Sequence, residues 1–327
     1  MKQRVFSGTR ATGKLHLGNY FGAVKGYIAL QENPELECLY MVMDLHAITT
    51  PYNARELSQL SQDVILDYLA AGLDPQKAII TKQSLIPEHP YLSFLFASIM
   101  SVARMQHLPT YKEKIKQYPH NVTMALLNYP ILMAADILLY KASLVPVGID
   151  QEPHLEIARE VARKMNDLYQ TSFPQPQRFA TASGYVPSLT GEGKMSKSVV
   201  GSFINLTDNL ETIKTKLAAV PTDSGTGKVV PSQGSITNLL LFVELFQGKD
   251  KRLEYEHAYM GNGIRYGELK NNLAQAIFNT LEPIQEKRSM LEKKPDYIQE
   301  VMSSGAKRAS QIAQATLLEV KEKMGLL

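Results

Sequence analysis

The chain has 327 residues, 44% of them hydrophobic and 20% charged, which indicates a soluble globular protein of about two domains. A single cysteine, Cys38, excludes an internal disulfide, a zinc site built on a cysteine cluster and a protein-ligated iron–sulfur cluster. The net charge of +3 is too small to name a partner. The amino terminus shows no apolar segment of the kind found in secretory signals, so we expect a cytoplasmic protein.

Strands and helices alternate in the first half of the chain. Apolar runs predict strands ending at Phe6 and at 38–43, 77–82 and 144–148, and the intervening patterns predict helices at 16–31, 53–72 and 150–169. This order is typical of an α/β fold with a parallel sheet, in which ligands bind beyond the carboxyl ends of the strands. The segments Gly8–Gly13 and Asp44–His46 follow two such ends, so we expect them to line one crevice.

The alternation stops at residues 84–140, where helices are predicted at about 88–103 and 121–140. The run 124–140 is apolar, but it is too short to span a membrane and contains Pro130 and Asp136, so a buried helix is the better interpretation. Between these helices lies Thr110–Gln117, a polar link with three lysines, which is typical of a solvated surface.

After Ser202 the chain is predicted to be all helical. A segment rich in Pro, Gln, Ser and Gly, 171–193, reads as a connection. Helices follow at 208–220, 235–247, 251–260, 266–292 and 305–324. We therefore expect a first domain at 1–203 and a helical domain at 204–327.

The segment 191–202, GEGKMSKSVVGS, predicts an exposed, mobile loop because glycine, serine and lysine cannot build a core element. Lys194 and Lys197 are two point charges suited to a polyanion such as a triphosphate. Ser196 and Ser198 are interpreted as hydrogen-bond donors of the loop. A solvated basic turn is the alternative.

A glycine-rich turn also leads from the first strand into the first helix. In this layout backbone N–H groups and a helix amino terminus face phosphate, although neither the Walker pattern nor G-x-G-x-x-G is present. His16 can donate to a phosphate oxygen there, and Gly18 leaves room for a nucleotide. The alternative is an ordinary surface histidine.

The two stretches together resemble the signature elements of the class I aminoacyl-tRNA synthetases. His16–Asn19 reads HLGN, with Asn in place of the last His of the family motif, and Lys194–Ser198 reads KMSKS. Further segments are similar to tryptophanyl-tRNA synthetases of the bacterial type, namely YPILMAADILLY at 129–140, VPVGIDQ at 145–151, DLHAIT at 44–49 and TDS at 222–224. The resemblance covers nearly the whole chain.

This resemblance implies a Rossmann-like parallel sheet with a helical dimerisation insertion at about 84–140, followed by an all-helical, anticodon-binding C-terminal domain. It implies ATP-dependent activation of L-tryptophan to tryptophanyl-adenylate and transfer to tRNA(Trp), releasing AMP and pyrophosphate. It further implies Mg²⁺, a cytoplasmic homodimer and no membrane partner. The attacking carboxylate is already ionised, so placement and positive charge suffice without a general base.

The resemblance also assigns residues to roles. The catalytic residues are His16, Lys194 and Lys197, and protein side chains bind no metal. The residues assigned to ATP are Arg10, Ala11, Thr12, Gly18, Asn19, Gly148, Ile149, Asp150, Val186, Lys194, Met195, Ser196, Lys197 and Ser198. The residues assigned to tryptophan are Phe6, Met43, His46, Met133, Val145 and Val147 around the indole, Tyr129 and Gln151 at the amino-acid head, and Asp136 at the indole N–H.

Asp136 lies among apolar neighbours, where a carboxylate is costly unless it is paired; the alternative is a helix face turned to solvent. Three residues depart from the commoner bacterial pattern, with Arg10 and Leu45 where Gln is usual and Ile149 where Glu is usual. A tyrosyl-type ligase and a non-catalytic sensor of amino acid or RNA are the rival interpretations. The tryptophanyl-like segments argue against a tyrosyl-type ligase. The intact lysine segment, 191–202, argues against a non-catalytic sensor.

Overall fold

The computed structural model describes residues 2–180, 186–191, 193–197 and 199–327. Packing divides the chain into two compact units. The first comprises the described parts of 1–13, 26–182 and 294–327, and the second those of 14–25 and 183–293.

Five parallel strands form the sheet of the first unit. They are β1 (Gln3–Arg10), β2 (Leu36–Met43), β3 (Ala78–Lys82), β4 (Leu144–Pro146) and β5 (Gln177–Phe179). Their order is β3-β2-β1-β4-β5, with Gln3 paired to Leu36 and Val5 to Leu144. The predicted parallel sheet is confirmed. Because β1 lies between β2 and β4, the strand order reverses beside it, and the carboxyl end of β1 is the place where open α/β sheets bind ligands.

Fourteen α-helices are present in the described part of the chain. They are α1 (Leu17–Asn19), α2 (Lys25–Gln31), α3 (Asp44–Ala47), α4 (Leu57–Ala71), α5 (Glu88–Ala97), α6 (Val102–Gln106), α7 (Pro109–Gln117), α8 (Met124–Leu138), α9 (Glu152–Tyr169), α10 (Leu210–Ala218), α11 (Ser235–Gln247), α12 (Lys249–Met260), α13 (Tyr266–Glu292) and α14 (Pro295–Lys323). A π-helical turn, Tyr20–Val24, joins α1 to α2, and short 3₁₀ turns lie at Gln83–Leu85 and Ile149–Gln151. In this described part, no helix is long and apolar enough to cross a membrane.

The last helix, predicted at 305–324, begins ten residues earlier at Pro295, and the helix predicted at 88–103 divides into α5 and α6. Two further elements also differ from the prediction. The polar link Thr110–Gln117 is helical and belongs to α7, because Pro109 occupies a first-turn position that suits proline and Tyr111 is buried. The short strand β5 was missed, since its three residues, Gln177 to Phe179, are flanked by prolines and glutamines and show no apolar run.

The last helix packs on β3, the end strand of the sheet. The hydroxyl of Thr81 donates to the carbonyl of Met302 at 2.8 Å, and Arg308 donates to the carbonyl of Pro75 at 2.9 Å. Gly305 lies so close to the backbone of Ile80 that a Cβ atom would collide with it. The predicted division at residue 203 therefore does not coincide with the packing, because α14 returns to the first unit.

The second unit contains helices α10 to α13 together with residues 14–25 and the described part of the lysine segment. Buried leucines and isoleucines at steps of three and four give α13 an apolar stripe; they are Leu269, Leu273, Ile277, Leu281 and Ile284. Asp223 accepts hydrogen bonds from the hydroxyls of Tyr259 at 2.6 Å and Tyr266 at 2.8 Å, which fixes the TDS segment to the start of α13.

Candidate active site

Asp136 of α8 is buried and bonded through both carboxylate oxygens. Its Oδ2 lies 2.7 Å from Nε2 of His46, while Oδ1 accepts from the Gln83 amide at 2.6 Å and lies 2.6 Å from Nδ1 of His89. Burial acts to raise the pKa of Asp136, but His46 and His89 together hold that pKa below its ordinary value. The carboxylate is therefore ionised at neutral pH, and the alternative of a solvent-facing Asp136 is excluded.

A buried chain of side chains fixes this carboxylate. Nε2 of His89 lies 2.8 Å from the hydroxyl of Tyr140, and neither side chain is exposed. Phe6 of β1 stacks on the Tyr140 ring with 5.4 Å between the ring centroids. Since each member is held by the next, the orientation of Asp136 is set before any ligand arrives.

The residues predicted to surround an indole share one apolar cluster of the first unit. Phe6, Met43 and Val145 are buried in it, and Tyr129, Met133 and Val147 are half-buried against it. A Cβ atom on Gly8 would lie 2.6 Å from Cγ of Met43, so only glycine leaves room for Met43 at the carboxyl end of β2. The structure thus brings the predicted apolar residues together.

Tyr129 and His154 form a second polar group in the same unit. The Tyr129 hydroxyl lies 2.7 Å from Nε2 of His154, and the hydroxyl of Thr110 lies 3.0 Å from the same nitrogen. The Tyr129 ring also packs edge-on against His46, with 6.4 Å between centroids. Burial, and then the charge of His46, lowers the pKa of His154 to about 4, so its ring is neutral at pH 7.

Arg10, at the end of β1, places positive charge beside this group. One terminal guanidinium nitrogen donates to the hydroxyl of Thr50 at 2.9 Å, and the buried Nε has no hydrogen-bond partner within the described residues. Burial, followed by the charge of Arg10, lowers the pKa of Lys114 on α7. Two neighbouring cations of this kind favour an anion.

Asp44 and His46, in the segment after β2, contact different parts of the first unit. The Asp44 carboxylate accepts from the backbone N–H of Ser84 at 2.9 Å and from its hydroxyl at 2.5 Å, which ties the ends of β2 and β3 together. The side chain of Gln83 accepts from the backbone N–H of Leu45 at 3.2 Å. Asp44 is therefore structural, whereas His46 reaches Asp136.

The segment Gly148–Gln151 follows the carboxyl end of β4 as a 3₁₀ turn. Gly148, Ile149 and Asp150 are exposed, and the Gln151 amide donates to the Asp150 carboxylate at 3.1 Å. A Cβ atom on Gly148 would meet the Asp150 carboxylate, which is the end of an exposed side chain.

His16 in the second unit caps helix α1. Its Nδ1 accepts from the backbone N–H of Asn19 at 3.3 Å, so the proton of the neutral ring resides on Nε2. Burial, and then the charge of Lys197, lowers the pKa of His16 to about 4. His16 is thus a neutral Nε2–H donor at pH 7 and not an ordinary surface histidine.

The lysine segment is anchored at both ends in the second unit. Met195 and Ser202 are buried, and the Ser202 hydroxyl donates to the carbonyl of Ser196 at 2.6 Å. Lys194 is exposed and Lys197 half-exposed. The prediction of an exposed loop is therefore wrong for Met195 and Ser202.

The space beside Gly18 is filled by the chain itself. A Cβ atom on Gly18 would lie 2.9 Å from the His16 ring and 3.1 Å from Cβ of Met195. This glycine lets the helix start and the segment 191–202 approach each other closely. Its assigned role of leaving room for a nucleotide stays a prediction.

The residues assigned to ATP fall in both units. Arg10, Ala11, Thr12, Gly148, Ile149 and Asp150 belong to the first, and Gly18, Asn19, Val186, Lys194, Met195, Ser196 and Lys197 to the second. Ser198 lies outside the described residues. The side chains of Ala11, Val186 and Met195 are buried and pack inside their own units.

Sequence reasoning missed four polar residues of the first unit, namely Gln83, His89, Thr110 and His154. Gln83 directly follows β3, so the rule applied to the ends of β1 and β2 points to it as well. His89, Thr110 and His154 sit on helices, where a lone polar residue carries no signal of its partner.

Comparisons with known proteins agree with this geometry. The family described as tRNA synthetases class I (W and Y) matches residues 1–282. The tryptophan–tRNA ligase of Treponema pallidum is 37% identical over 99% of this chain and 97% of its own, and that of Deinococcus radiodurans is 38% identical over 99% of each. This chain belongs to the tryptophanyl-tRNA synthetase family, of the bacterial type.

A solved structure shares the fold of this synthetase. The Campylobacter jejuni tryptophanyl-tRNA synthetase, complexed with ADP and tryptophan, covers 99% of this chain and 100% of its own, with 31% identity and a TM-score of 0.86. The chain is therefore a class I aminoacyl-tRNA synthetase in fold and in sequence.

Proposed function

We propose that this synthetase activates L-tryptophan with ATP and transfers the product to tRNA(Trp). The first step forms a bond between a tryptophan carboxylate oxygen and the α-phosphorus, and breaks the bond from that phosphorus to the β-phosphate oxygen. Pyrophosphate leaves with the electron pair. In the second step a ribose hydroxyl of tRNA attacks the acyl carbon, AMP departs, and the product is tryptophanyl-tRNA.

The choice of tryptophan as the substrate rests on the hydrogen bonds of Asp136. Its Oδ1 accepts two hydrogen bonds and its Oδ2 one, so Oδ2 retains acceptor capacity. A buried, ionised acceptor inside an apolar cluster suits the indole N–H. A phenol also needs a donor, and a site built for one polar group rejects analogues that lack it.

The head of the amino acid is assigned to Tyr129 and Gln151. Tyr129 is half-buried and lies beside His46, which bonds to the indole-reading Asp136. Arg10, in the place of the usual Gln, supplies positive charge for the carboxylate that attacks. An arginine at this position therefore suits a reaction in which a carboxylate attacks a phosphate.

The triphosphate is assigned to His16, Lys194 and Lys197. A neutral Nε2–H and two ammonium groups stabilise charge that develops on the transferring and leaving phosphates. Such donors bind phosphate oxygens and not a cation, and the described residues contain no group of three His, Cys, Asp or Glu side chains fit for a metal. Mg²⁺ is therefore proposed to be held by the phosphates of ATP, whose charge it neutralises.

Partners and location complete the proposal. The helices after residue 203 are assigned to the anticodon of tRNA(Trp), and the homodimer is placed on the insertion at 84–140. The cytoplasm, predicted from the sequence, is where charged tRNA is used.

Charging of tRNA tests the proposal. The protein is incubated with ATP, Mg²⁺, total bacterial tRNA and labelled tryptophan or tyrosine, and acid-precipitable label is counted. Label from tryptophan alone supports the proposal. Label from tyrosine, or from neither, contradicts it.

A further inference from the structure

His154 stands out because its burial is costly. The residue is 3% exposed, and its Nδ1 has no hydrogen-bond partner among the residues that the structure describes. A buried polar atom left without a partner costs about 1–3 kcal/mol. Such groups call for an explanation, and function is a common one.

The other nitrogen of this ring is crowded. Nε2 lies within hydrogen-bond distance of two hydroxyls, 2.7 Å from Tyr129 on α8 and 3.0 Å from Thr110 on α7. A neutral imidazole offers one lone pair or one N–H at this position. The contact of the ring with these hydroxyls is therefore the reason we give for its burial.

Three elements meet at this nitrogen. His154 lies in the first turn of α9, Thr110 in the first turn of α7 and Tyr129 within α8. Tyr129 is half-buried, whereas His154 is buried behind it, so a ligand reaches the tyrosine more readily than the histidine. His154 acts on a ligand through Tyr129.

We propose that His154 is a positioning residue that holds the Tyr129 hydroxyl so that its oxygen presents a lone pair to the α-ammonium group of tryptophan. The inference rests on the proposed function, which places the amino-acid head at Tyr129. An oxygen that accepts from an ammonium group cannot direct its own proton at that group. The contact with His154 orients the hydroxyl in advance and keeps the proton away from the ligand.

The electrostatics of the ring fit this role. Burial and the nearby His46 lower the pKa of His154 to about 4, so the ring carries no charge at pH 7. A neutral ring orients the hydroxyl without repelling the cationic ligand. A lysine or arginine in its place would repel the ammonium group.

Steady-state pyrophosphate exchange into ATP tests this inference. His154→Leu removes the contact, and we expect KM for tryptophan to rise about tenfold, since a hydrogen bond to a charged group is weakened. We expect kcat and KM for ATP to stay within about twofold. His154→Gln keeps a polar group and is expected to restore most of the affinity. His120→Leu, at an exposed histidine of the same unit, is the matched control and should leave these constants unchanged.

Two inhibitors separate positioning from general packing. Tryptophanamide keeps the α-ammonium group, and indole-3-propionate lacks it. In His154→Leu the inhibition constant of tryptophanamide should rise by about the same factor as KM, and that of indole-3-propionate should stay unchanged. In a Tyr129→Phe background, His154→Leu should add no more than about twofold, because the two residues act as one unit.

Equal weakening of both inhibitors, or additive losses in the double variant, overturns the inference. Failure of the wild-type protein to catalyse tryptophan-dependent exchange is a different outcome, because it rejects the proposed function itself. Circular dichroism of each variant establishes that it is folded. If His154→Leu does not fold, His154→Met, which also removes the contact, is measured with the same two inhibitors.

Discussion

Oδ2 of Asp136 lies 2.7 Å from Nε2 of His46, although 90 positions separate the two residues in the chain. The contact joins α8 to the helix that follows β2, at the carboxyl end of the sheet. An ionised carboxylate there is stable because His89 and Gln83 bond to its other oxygen. The acceptor assigned to the indole is thus part of the core.

Asp136→Asn is expected to lower kcat/KM for tryptophan by about a hundredfold, because an amide both weakens the acceptor and can direct N–H groups at its donors. It should also lower the melting temperature, since the change leaves buried partners poorly paired. Exchange kinetics with tryptophan, tyrosine and phenylalanine measure the first effect. Asp167→Asn, on the exposed surface of α9, is the matched control. Unchanged tryptophan preference in a folded Asp136→Asn protein contradicts the assignment.

Lys197→Ala is expected to lower kcat for exchange by roughly a hundredfold while KM for ATP changes by no more than about threefold. The ammonium group is assigned to charge that develops as the triphosphate reorganises, so its loss appears in turnover. Lys228→Ala removes an exposed lysine of the same unit and should leave both constants unchanged. Equal losses in ATP affinity and turnover would show that Lys197 serves ground-state binding instead.

Acid is expected to destabilise the protein between pH 6.5 and 4 through His16 and His154. The pKa of each ring is lowered from 6.5 to about 4, so in this range only the unfolded chain takes up these protons. The stabilisation is complete above pH 6.5 and is lost as the pH falls, by on the order of 3 kcal/mol for each ring.

Urea unfolding at a series of pH values measures this slope. His154→Gln should flatten it, and the exposed His120→Gln should not. A stability independent of pH between 6.5 and 4 would show that both rings are protonated in the folded protein.

The proposed dimer predicts a role for the exposed aromatic residues of α5. Phe94 is 76% exposed and Tyr91 46%, whereas Phe96 is fully buried in the core. Phe94→Asp should therefore weaken the dimer without unfolding the subunit, and Phe96→Asp should unfold it. Met290→Asp, at an exposed apolar residue of the second unit, is the control.

Sedimentation at micromolar concentration gives the mass of each protein. A wild-type mass near 36.5 kDa rejects the dimer. If the Phe94→Asp protein is still a dimer, the homodimer is supported, but α5 is not its interface.

The sheet could be predicted because β2 is a run of buried apolar residues and α9, which follows β4, has an apolar stripe. Asp136 could be predicted as paired, since an isolated carboxylate among apolar residues is costly. Its partner His89 could not, because the packing of α5 on α8 brings His89 to the carboxylate and no local pattern encodes that packing. The packing of α14 on β3 includes a close approach at Gly305, and the sequence does not reveal that contact.

The contact of Gly18 with Met195 could not be inferred from the sequence, because 177 positions separate the two residues in the chain. Glycine at such a place signals close approach, but the sequence does not say of what. His16 was found because it follows a glycine-rich turn at a helix start, a layout in which donors face phosphate.

The claim that Asp136 selects tryptophan is tested by exchange of labelled pyrophosphate into ATP. Tryptophan and tyrosine are supplied in separate reactions of the wild-type protein. We expect rapid exchange with tryptophan and a kcat/KM for tyrosine lower by about a thousandfold or more, because a phenol oxygen also needs a donor, which the Asp136 carboxylate does not supply. Comparable exchange with tyrosine, or no exchange with tryptophan, would contradict it.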